Sequence, residues 1–383
     1  MFKVLHTGDL HLGSAFSGLP IRESERRRSC QLDTFRRLID RAIEESVSLF
    51  LIAGDLFDSS TVPASVVEAI FDALASLTCP VVITPGNHDP YRTDSPYAAY
   101  ALPKNVYVFS SPALSHFSFP EIGNGVDIFG YAFTESQAPA SPIASMPDNS
   151  CLGDGISILL AHGDLDQPFS RYAPILKSDI ARSGADYVAL GHVHNIPSDF
   201  ETCGDSIVSY CGFLEGRSFD ECGFGSFVLL TFDEAETSLH PLKEASHVPF
   251  SAHRYAAAEL DITGTSDHAE AVSRIRAFLT EEGYGRETAL RLSLVGDVAL
   301  RYTPDPALLA AAFTGDGDPA PIEITDRTLP ILDAAYLEAD LTIRGELYRV
   351  LKPKMLSGTP EERADAASAL RVAFAALDGR PIL

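Results

Sequence analysis

Positive charge is scarce in this chain. Its 383 residues carry 29 Lys and Arg against 53 Asp and Glu, a formal net charge of −24. Phosphate contacts dominate the affinity of proteins for nucleic acid, so a chain that grips a polynucleotide unaided is expected to be basic. A polynucleotide substrate would therefore call for a partner that supplies much of the grip, or for basic residues gathered on one face. Cysteine pairing signals are also missing. Cys30, Cys79, Cys151, Cys203, Cys211 and Cys222 form no CxxC pair, which sets aside a disulfide framework and a zinc ribbon and leaves reduced, structural thiols. Cys203, Cys211 and Cys222 fall close together, but at spacings unlike those of zinc modules. No apolar run approaches the length of a transmembrane helix. No signal-peptide pattern precedes the strand-like residues 2–6. The expectation is a cytoplasmic protein with no membrane contact.

What the chain does have is an ordinary globular composition, 45% hydrophobic and 21% charged, over a length that suggests two domains. Apolar runs at 4–6, 49–53 and 81–84 alternate with helical patterns. Leu32, Phe35, Leu38, Ile39, Ala42 and Ile43 carry one pattern; Val66, Val67, Ile70, Phe71, Leu74 and Leu77 carry the next. This βαβαβ order predicts buried parallel strands with ligands gathered at their carboxyl ends. Further strands are predicted at 106–109, 126–129, 156–160, 187–190, 206–210 and 226–232, as two sheets packed face to face would require. Residues 138–155, rich in Pro, Ser and Asp, read as a surface loop. The composition shifts near Pro249. The expected domains are 1–248, a smaller α/β unit at 249–350 and a helical tail at 351–383. The smaller unit would hold strands at 256–262, 288–295 and 323–332 and a helix at 269–282; a helix at 364–377 would end the chain.

Five short polar clusters follow apolar runs. They contain Asp9 and His11; Asp55 and Asp58; Asn87, His88 and Asp89; His162; and His192 and His194. Asp9 and His11 are two residues apart, so in an extended segment both point the same way and can bind one ion. Asp55, where the second strand should end, can bridge two ions. Asn87 offers an amide oxygen, and a tight turn could direct His192 and His194 to different ions. The tally is four ligands per ion: Asp9, His11, Asp55 and His194 on one, and Asp55, Asn87, His162 and His192 on the other. Mixed nitrogen and oxygen ligation suits Mn, Fe or Zn better than Mg. Two adjacent divalent ions are an apparatus for cutting phosphate esters. His88 is left over as a candidate general acid, and Asp58 is placed to hydrogen-bond it and keep it protonated. In this scheme a hydroxide bridging the two ions attacks phosphorus in line while His88 assists the leaving oxygen. Singly, each Asp could be a helix cap or turn former and each His a surface or core residue. Concentration argues otherwise, since five of the eleven histidines lie in these clusters. Outside them, His6 stands out for its place in a buried strand.

These motifs, in this order, resemble the calcineurin-like metallophosphoesterase superfamily. The closer resemblance is to DNA repair exonucleases of the SbcD/YhaO type, and it rests on residues 6–13, 51–58, 191–195 and 210–221. It implies an α/β fold, the metallophosphoesterase two-sheet β-sandwich flanked by helices, with a smaller C-terminal α/β capping domain. It implies manganese-dependent cleavage of DNA phosphodiesters, exonucleolytic and often also endonucleolytic. A partner ATPase of the SbcC type with a long coiled coil and a homodimer through the N-terminal domain are implied as well. Asp58 stands where some relatives carry His, and residues 256–345 are acid-rich where family caps often carry basic residues. Arg217 and Phe219, in a loop after the last metal motif, are candidate substrate-side residues. Arg217 could meet a phosphate bidentately, or pair with Glu215 or Asp220. Arg22, Arg26, Arg27, Arg28, Arg36, Arg37 and Arg41 are interleaved with acidic residues and read as a solvated helix face. The competing function is a small-molecule metallophosphoesterase acting on nucleotides or cyclic nucleotides, which accounts for the acidic charge more simply.

Overall fold

The computed structural model describes residues 1–16, 21–144, 146–151, 155–233, 241–377 and 379. Its first elements are β1 (Phe2–Thr7), α1 (Ile21–Glu44), β2 (Leu49–Ile52), α2 (Ala64–Ala75), β3 (Val81–Ile83), a single turn α3 (Pro96–Ala99) and β4 (Val106–Val108). Apart from Lys3, His6 and Thr7 of β1 the strands are short and apolar, so they are stable only when covered on both faces. Alternation along β2 shows how this is done. Phe50 and Ile52 pack with Phe35, Leu38, Val67 and Ile70 of the two helices. Leu49 and Leu51 face the other way, onto a second sheet. All four are fully buried, and truncating any one to alanine would cost about 2–5 kcal/mol. The pairs β1–β2, β2–β3 and β3–β4 are parallel, as the βαβαβ order predicts.

The second sheet comprises β5 (Ser115–Phe119), β6 (Val126–Gly130), β7 (Ile156–His162), β8 (Tyr187–Gly191), β9 (Glu201–Cys203) and β10 (Ser206–Tyr210), in the order β5-β6-β7-β8-β10-β9, with helix α4 (Lys177–Ser183) between β7 and β8. The chain then returns to the first sheet through β11 (Gly223–Phe232), antiparallel to β1, and β12 (Leu242–Asp261). Ile128, Ile158, Leu160 and Ala189 of the second sheet meet Val4, Leu51, Val82 and Val228 of the first, which makes the sandwich. The edge strands β5 and β9 have no continuous apolar run and give no strand signal in the sequence. Residues 138–155 are more than a surface loop. Ile143, Met146 and Cys151 are buried with Leu159 and Val188 against the outer face of the second sheet; residues 145 and 152–154 lie outside the described residues.

The chain divides into two compact units, Met1–Ala252 and His253–Leu383. In the second, the end of β12 pairs in parallel with Thr288–Val295, which pairs in parallel with Ile322–Asp326. The helix His268–Glu281 is capped by Asp267, which accepts from Glu270 N, and buries Ala271, Ile275 and Leu279 against Leu290, Leu292 and Leu294. The helix Ile343–Ser357 packs Tyr348 with Leu370 and Phe374 of the helix Pro360–Leu377. Among the described residues no helix is long and apolar enough to cross a membrane.

Candidate metal centre

The polar clusters meet in the sharp turns that follow the strands of both sheets. Asp9 and His11 after β1, Asp55 after β2 and His192 after β8 all have positive φ, at 49°, 44°, 50° and 103°. Such backbone costs about 1–3 kcal/mol per residue and persists only where the surroundings impose it. Here Asp9 N donates to Gly54 O at 3.0 Å, His11 N to Asp55 O at 2.9 Å and Leu12 N to Leu56 O at 2.9 Å, so the first two clusters run side by side beyond their strands. Two glycines permit the close approach of the sheets. A Cβ on Gly54 would lie 2.2 Å from His162 Nδ1, and one on Gly191 would lie 1.9 Å from the Ala53 carbonyl oxygen.

All seven candidate ligands come together. Atoms of Asp9, His11 and His194 lie within 4.8 Å of one another, as do atoms of Asp9, Asp55 and His162. His11 Nε2 is 3.2 Å from His194 Nε2. Asp55 Oδ2 stands between the two groups, 3.6 Å from His11 Nε2 and 3.5 Å from His162 Nε2. Asn87 Oδ1 is 2.9 Å from His162 Nε2 and 3.1 Å from His192 Nδ1. Asp9, His11, Asp55 and His162 are essentially inaccessible to solvent. Two buried carboxylates, an amide oxygen and four imidazoles in so small a volume form a set that cations would stabilise, and the mixed donors fit divalent transition ions.

Outer contacts orient these rings. His162 Nδ1 faces the Ala53 carbonyl at 2.9 Å, and His194 Nδ1 faces Glu221 Oε1 at 2.7 Å. Both acceptors favour a proton on Nδ1, which leaves Nε2 with its lone pair turned inward. Asp9 accepts His192 N through both oxygens, at 3.1 and 2.9 Å. Burial lowers the pKa of His11 and His162, and burial together with His162 lowers that of His192 to about 4. These rings are therefore neutral and free to donate lone pairs at pH 7. Burial and the neighbouring Asp55 push Asp9 up, whereas His162, His11 and His88 outweigh burial at Asp55 and hold it down.

His88 lies exposed at the rim, its ring 4.7 Å from that of His11. Its backbone N–H donates to Asp55 Oδ1 at 2.9 Å. Its Nδ1 is 3.1 Å from Asp58, but from the main-chain carbonyl, not the carboxylate expected from the sequence. The Asp58 carboxylate is drawn elsewhere, 3.3 Å from His11 Nδ1 and 3.1 Å from Arg217 Nη1. Arg217 also donates to Glu221 from Nε at 3.1 Å and Nη2 at 2.8 Å, a pairing within the loop that the sequence reading did not name. Phe219 is half-buried in the same loop, and its carbonyl accepts from the Cys222 thiol.

Some residues of the site carry weak sequence signals. Asp89, the last residue of the third cluster, is fully buried and accepts from Gly86 N at 2.7 Å, Phe57 N at 3.1 Å and the Tyr97 hydroxyl. Burial, and then Asp55, push its pKa up to about 7. Glu221 is buried too, and the pull of His194 and Arg217 outweighs burial and holds it at about 2; in the sequence it closes the 210–221 segment, four residues after Arg217. Tyr172 leans on His192 with ring centroids 4.8 Å apart. The arginine-rich helix is not simply a solvated face. Arg27 is buried and donates to Gly216 O at 2.9 Å, and Arg37 stacks over Phe250.

A two-sheet α/β sandwich with carboxylates, an amide and imidazoles gathered beyond its strand ends has the architecture of a metal-dependent hydrolase. The chain belongs to the calcineurin-like phosphoesterase family, whose model matches residues 2–195, a span containing all seven candidate ligands and His88. It is 28% identical over 243 residues to the metallophosphoesterase YhaO of Bacillus subtilis, covering 61% of this chain and 58% of that one. It is 30% identical over 207 residues to the DNA double-strand break repair protein Mre11 of Aeropyrum pernix, covering 51% and 49%. With the SbcD component of the nuclease SbcCD of Bacillus subtilis it shares 22% identity over 263 residues, covering 60% and 65%. The chain thus spans between 49% and 65% of the length of these relatives.

Proposed function

We propose that this chain is a metal-dependent DNA phosphodiesterase, an exonuclease acting in DNA repair. The observation that carries the reading is the convergence of seven ligands, with Asp55 between the two groups and His88 at the open rim. Asp9, His11, Asp55 and His194 would hold one divalent ion and Asp55, Asn87, His162 and His192 the other, with manganese the metal we assign. Bound there, such ions supply charge neutralisation for a phosphate and a lowered pKa for water. The protein does the rest. Ala53 O and Glu221 fix the ring orientations of His162 and His194. The Asp58 carbonyl accepts a hydrogen bond from His88 Nδ1–H, and the ring in its imidazolium form would give its Nε2 proton to the leaving oxygen and become neutral.

DNA is the substrate favoured by the likeness to Mre11 and to the SbcD component of SbcCD. The net charge of −24 leads us to assign much of the DNA grip to a partner, a coiled-coil ATPase of the SbcC type, with the chain itself a cytoplasmic homodimer. Residues 1–248 would form the nuclease, 249–350 its cap and 351–383 a helical tail, with Phe219 on the substrate side. The acidic charge also favours a second reading, hydrolysis of nucleotides or cyclic nucleotides. One experiment separates the two. Purified protein with Mn²⁺ is assayed on linear duplex DNA, single-stranded DNA and bis-p-nitrophenyl phosphate, with and without the partner ATPase. We expect DNA degradation that requires Mn²⁺. Hydrolysis of the small diester with DNA left intact, even with the partner present, would overturn the nuclease reading and favour the second.

A further inference from the structure

We propose that Arg217 is a positioning residue for the metal-binding faces of His11 and His194 and does not bind the substrate phosphate. One guanidinium lies between two carboxylates. Nη1 is 3.1 Å from Asp58 Oδ1, while Nε and Nη2 are 3.1 and 2.8 Å from Glu221 Oε1. The Arg217 backbone N–H donates to the other Glu221 oxygen at 2.6 Å. Each carboxylate lies beside the outer nitrogen of one ring: Glu221 Oε1 is hydrogen-bonded to His194 Nδ1 at 2.7 Å, and Asp58 Oδ1 is 3.3 Å from His11 Nδ1, a close contact without hydrogen-bond geometry. The inner nitrogens of those rings then meet at 3.2 Å. A planar fork with several donors can span two acceptors in this way, and a lysine cannot.

The loop that carries Arg217 is itself anchored. Glu215 accepts from Thr34 Oγ1 and from Ala252 N, both at 2.9 Å, and the next carbonyl, of Gly216, accepts from buried Arg27 at 2.9 Å. A side chain meant to follow a mobile phosphodiester would not need such a mounting. Glu221 is buried, and a buried carboxylate is stable only while paired, so a phosphate that captured Arg217 would strand it. The arrangement is also one-sided. His162 is oriented by the Ala53 carbonyl, and Asn87 lies against His162 and His192. The Arg217 clamp therefore serves the ion held by His11 and His194 and leaves the other to separate supports.

This inference rests on the dimetal reading above, and its test is metal binding, not turnover. The full-length protein, stripped with chelator, is titrated with Mn²⁺, and free ion is followed by electron paramagnetic resonance. We expect wild type to bind two ions and Arg217→Ala to bind one as wild type does, with the other weakened about ten- to a hundredfold, the usual effect of losing an outer-sphere partner. Glu221→Gln should weaken the same single ion, and it carries the test if circular dichroism shows Arg217→Ala to be unfolded. Unchanged affinity for both ions, with KM for bis-p-nitrophenyl phosphate raised, would overturn the proposal and make Arg217 a phosphate ligand. Equal weakening of both ions would also overturn it. Wild type binding fewer than two ions would instead sink the dimetal reading, and this assignment with it.

Discussion

His162 Nδ1 lies 2.9 Å from the carbonyl oxygen of Ala53, so a ring at the end of β7 is oriented by backbone just beyond β2 in the facing sheet. A carbonyl can only accept, so Nδ1 carries the proton and Nε2 is left to face Asp55 and Asn87. The adjoining Gly54 makes this approach possible, with φ at 88° and no side chain to strike the ring. Gly54→Ala should displace His162, remove one equivalent of bound Mn²⁺ and lower phosphodiesterase activity by about a hundredfold, the scale of a misplacement near 1 Å. Metal analysis alongside a diester assay checks this. Full metal content with full activity would show that the ring does not depend on the glycine.

His88 touches the centre through its backbone and not through a ligand position, its N–H donating to Asp55 while the ring lies exposed. His88→Gln should therefore retain bound metal and lose about 10²–10⁴ in kcat on DNA, the range for loss of a general acid. The loss should be much smaller on bis-p-nitrophenyl phosphate, because p-nitrophenolate leaves without needing a proton. Equal losses on both substrates would place His88 in binding or structure instead of proton delivery.

The parts of the fold and site legible in the sequence were those with a local signal. Residues 49–53 are apolar without interruption and end in Gly54 and Asp55, so strand, turn and candidate ligand all follow from one short stretch. The same holds for β1 with Asp9 and His11, and for β8 with His192 and His194. The contacts that tune the site were not legible, because they join residues far apart in the chain. Nothing local says that the Asp58 carboxylate turns from His88 to His11 and Arg217, or that Glu221 backs His194. Arg27 looked like its neighbours on α1 because burial is decided by the loop at Gly216, which reaches it only in the folded state. Ile143, Met146 and Cys151 were likewise hidden, sparse apolar residues in a stretch whose Pro, Ser and Asp content reads as loop.

Asp89 is the internal brace between the second and third clusters, accepting from Phe57 N, Gly86 N and the Tyr97 hydroxyl. Asp89→Ala would leave two buried N–H groups and a buried hydroxyl unsatisfied, at about 1–3 kcal/mol for each. Tyr97→Phe removes one donor and leaves the other two bonds in place, so its cost should be near 1–2 kcal/mol. Thermal denaturation should therefore show a clearly larger drop in midpoint for Asp89→Ala than for Tyr97→Phe. Equal drops would mean that the tyrosine bond accounts for the whole effect and that the two backbone contacts contribute nothing.

His6 is fully buried in β1, with Nδ1 3.0 Å from the Tyr187 hydroxyl, and it lies outside the ligand set. Burial, assisted by His247, lowers its pKa to about 3. The folded protein therefore keeps this ring neutral down to about pH 3, while the unfolded chain takes up the proton near the ordinary value of about 6.5. Between those limits the unfolded state binds the extra proton, so stability falls as pH falls. The contribution is complete above pH 6.5 and lost by pH 3, with a slope of about 1.4 kcal/mol per pH unit from this group. His6→Gln cannot titrate, and its unfolding free energy should decline less steeply with acid by that one-proton increment. Denaturant unfolding at pH 7, 6 and 5, with chelator present to remove metal linkage, compares the two slopes. Parallel lines for variant and wild type would show that His6 gains its proton in the folded state as readily as in the unfolded one.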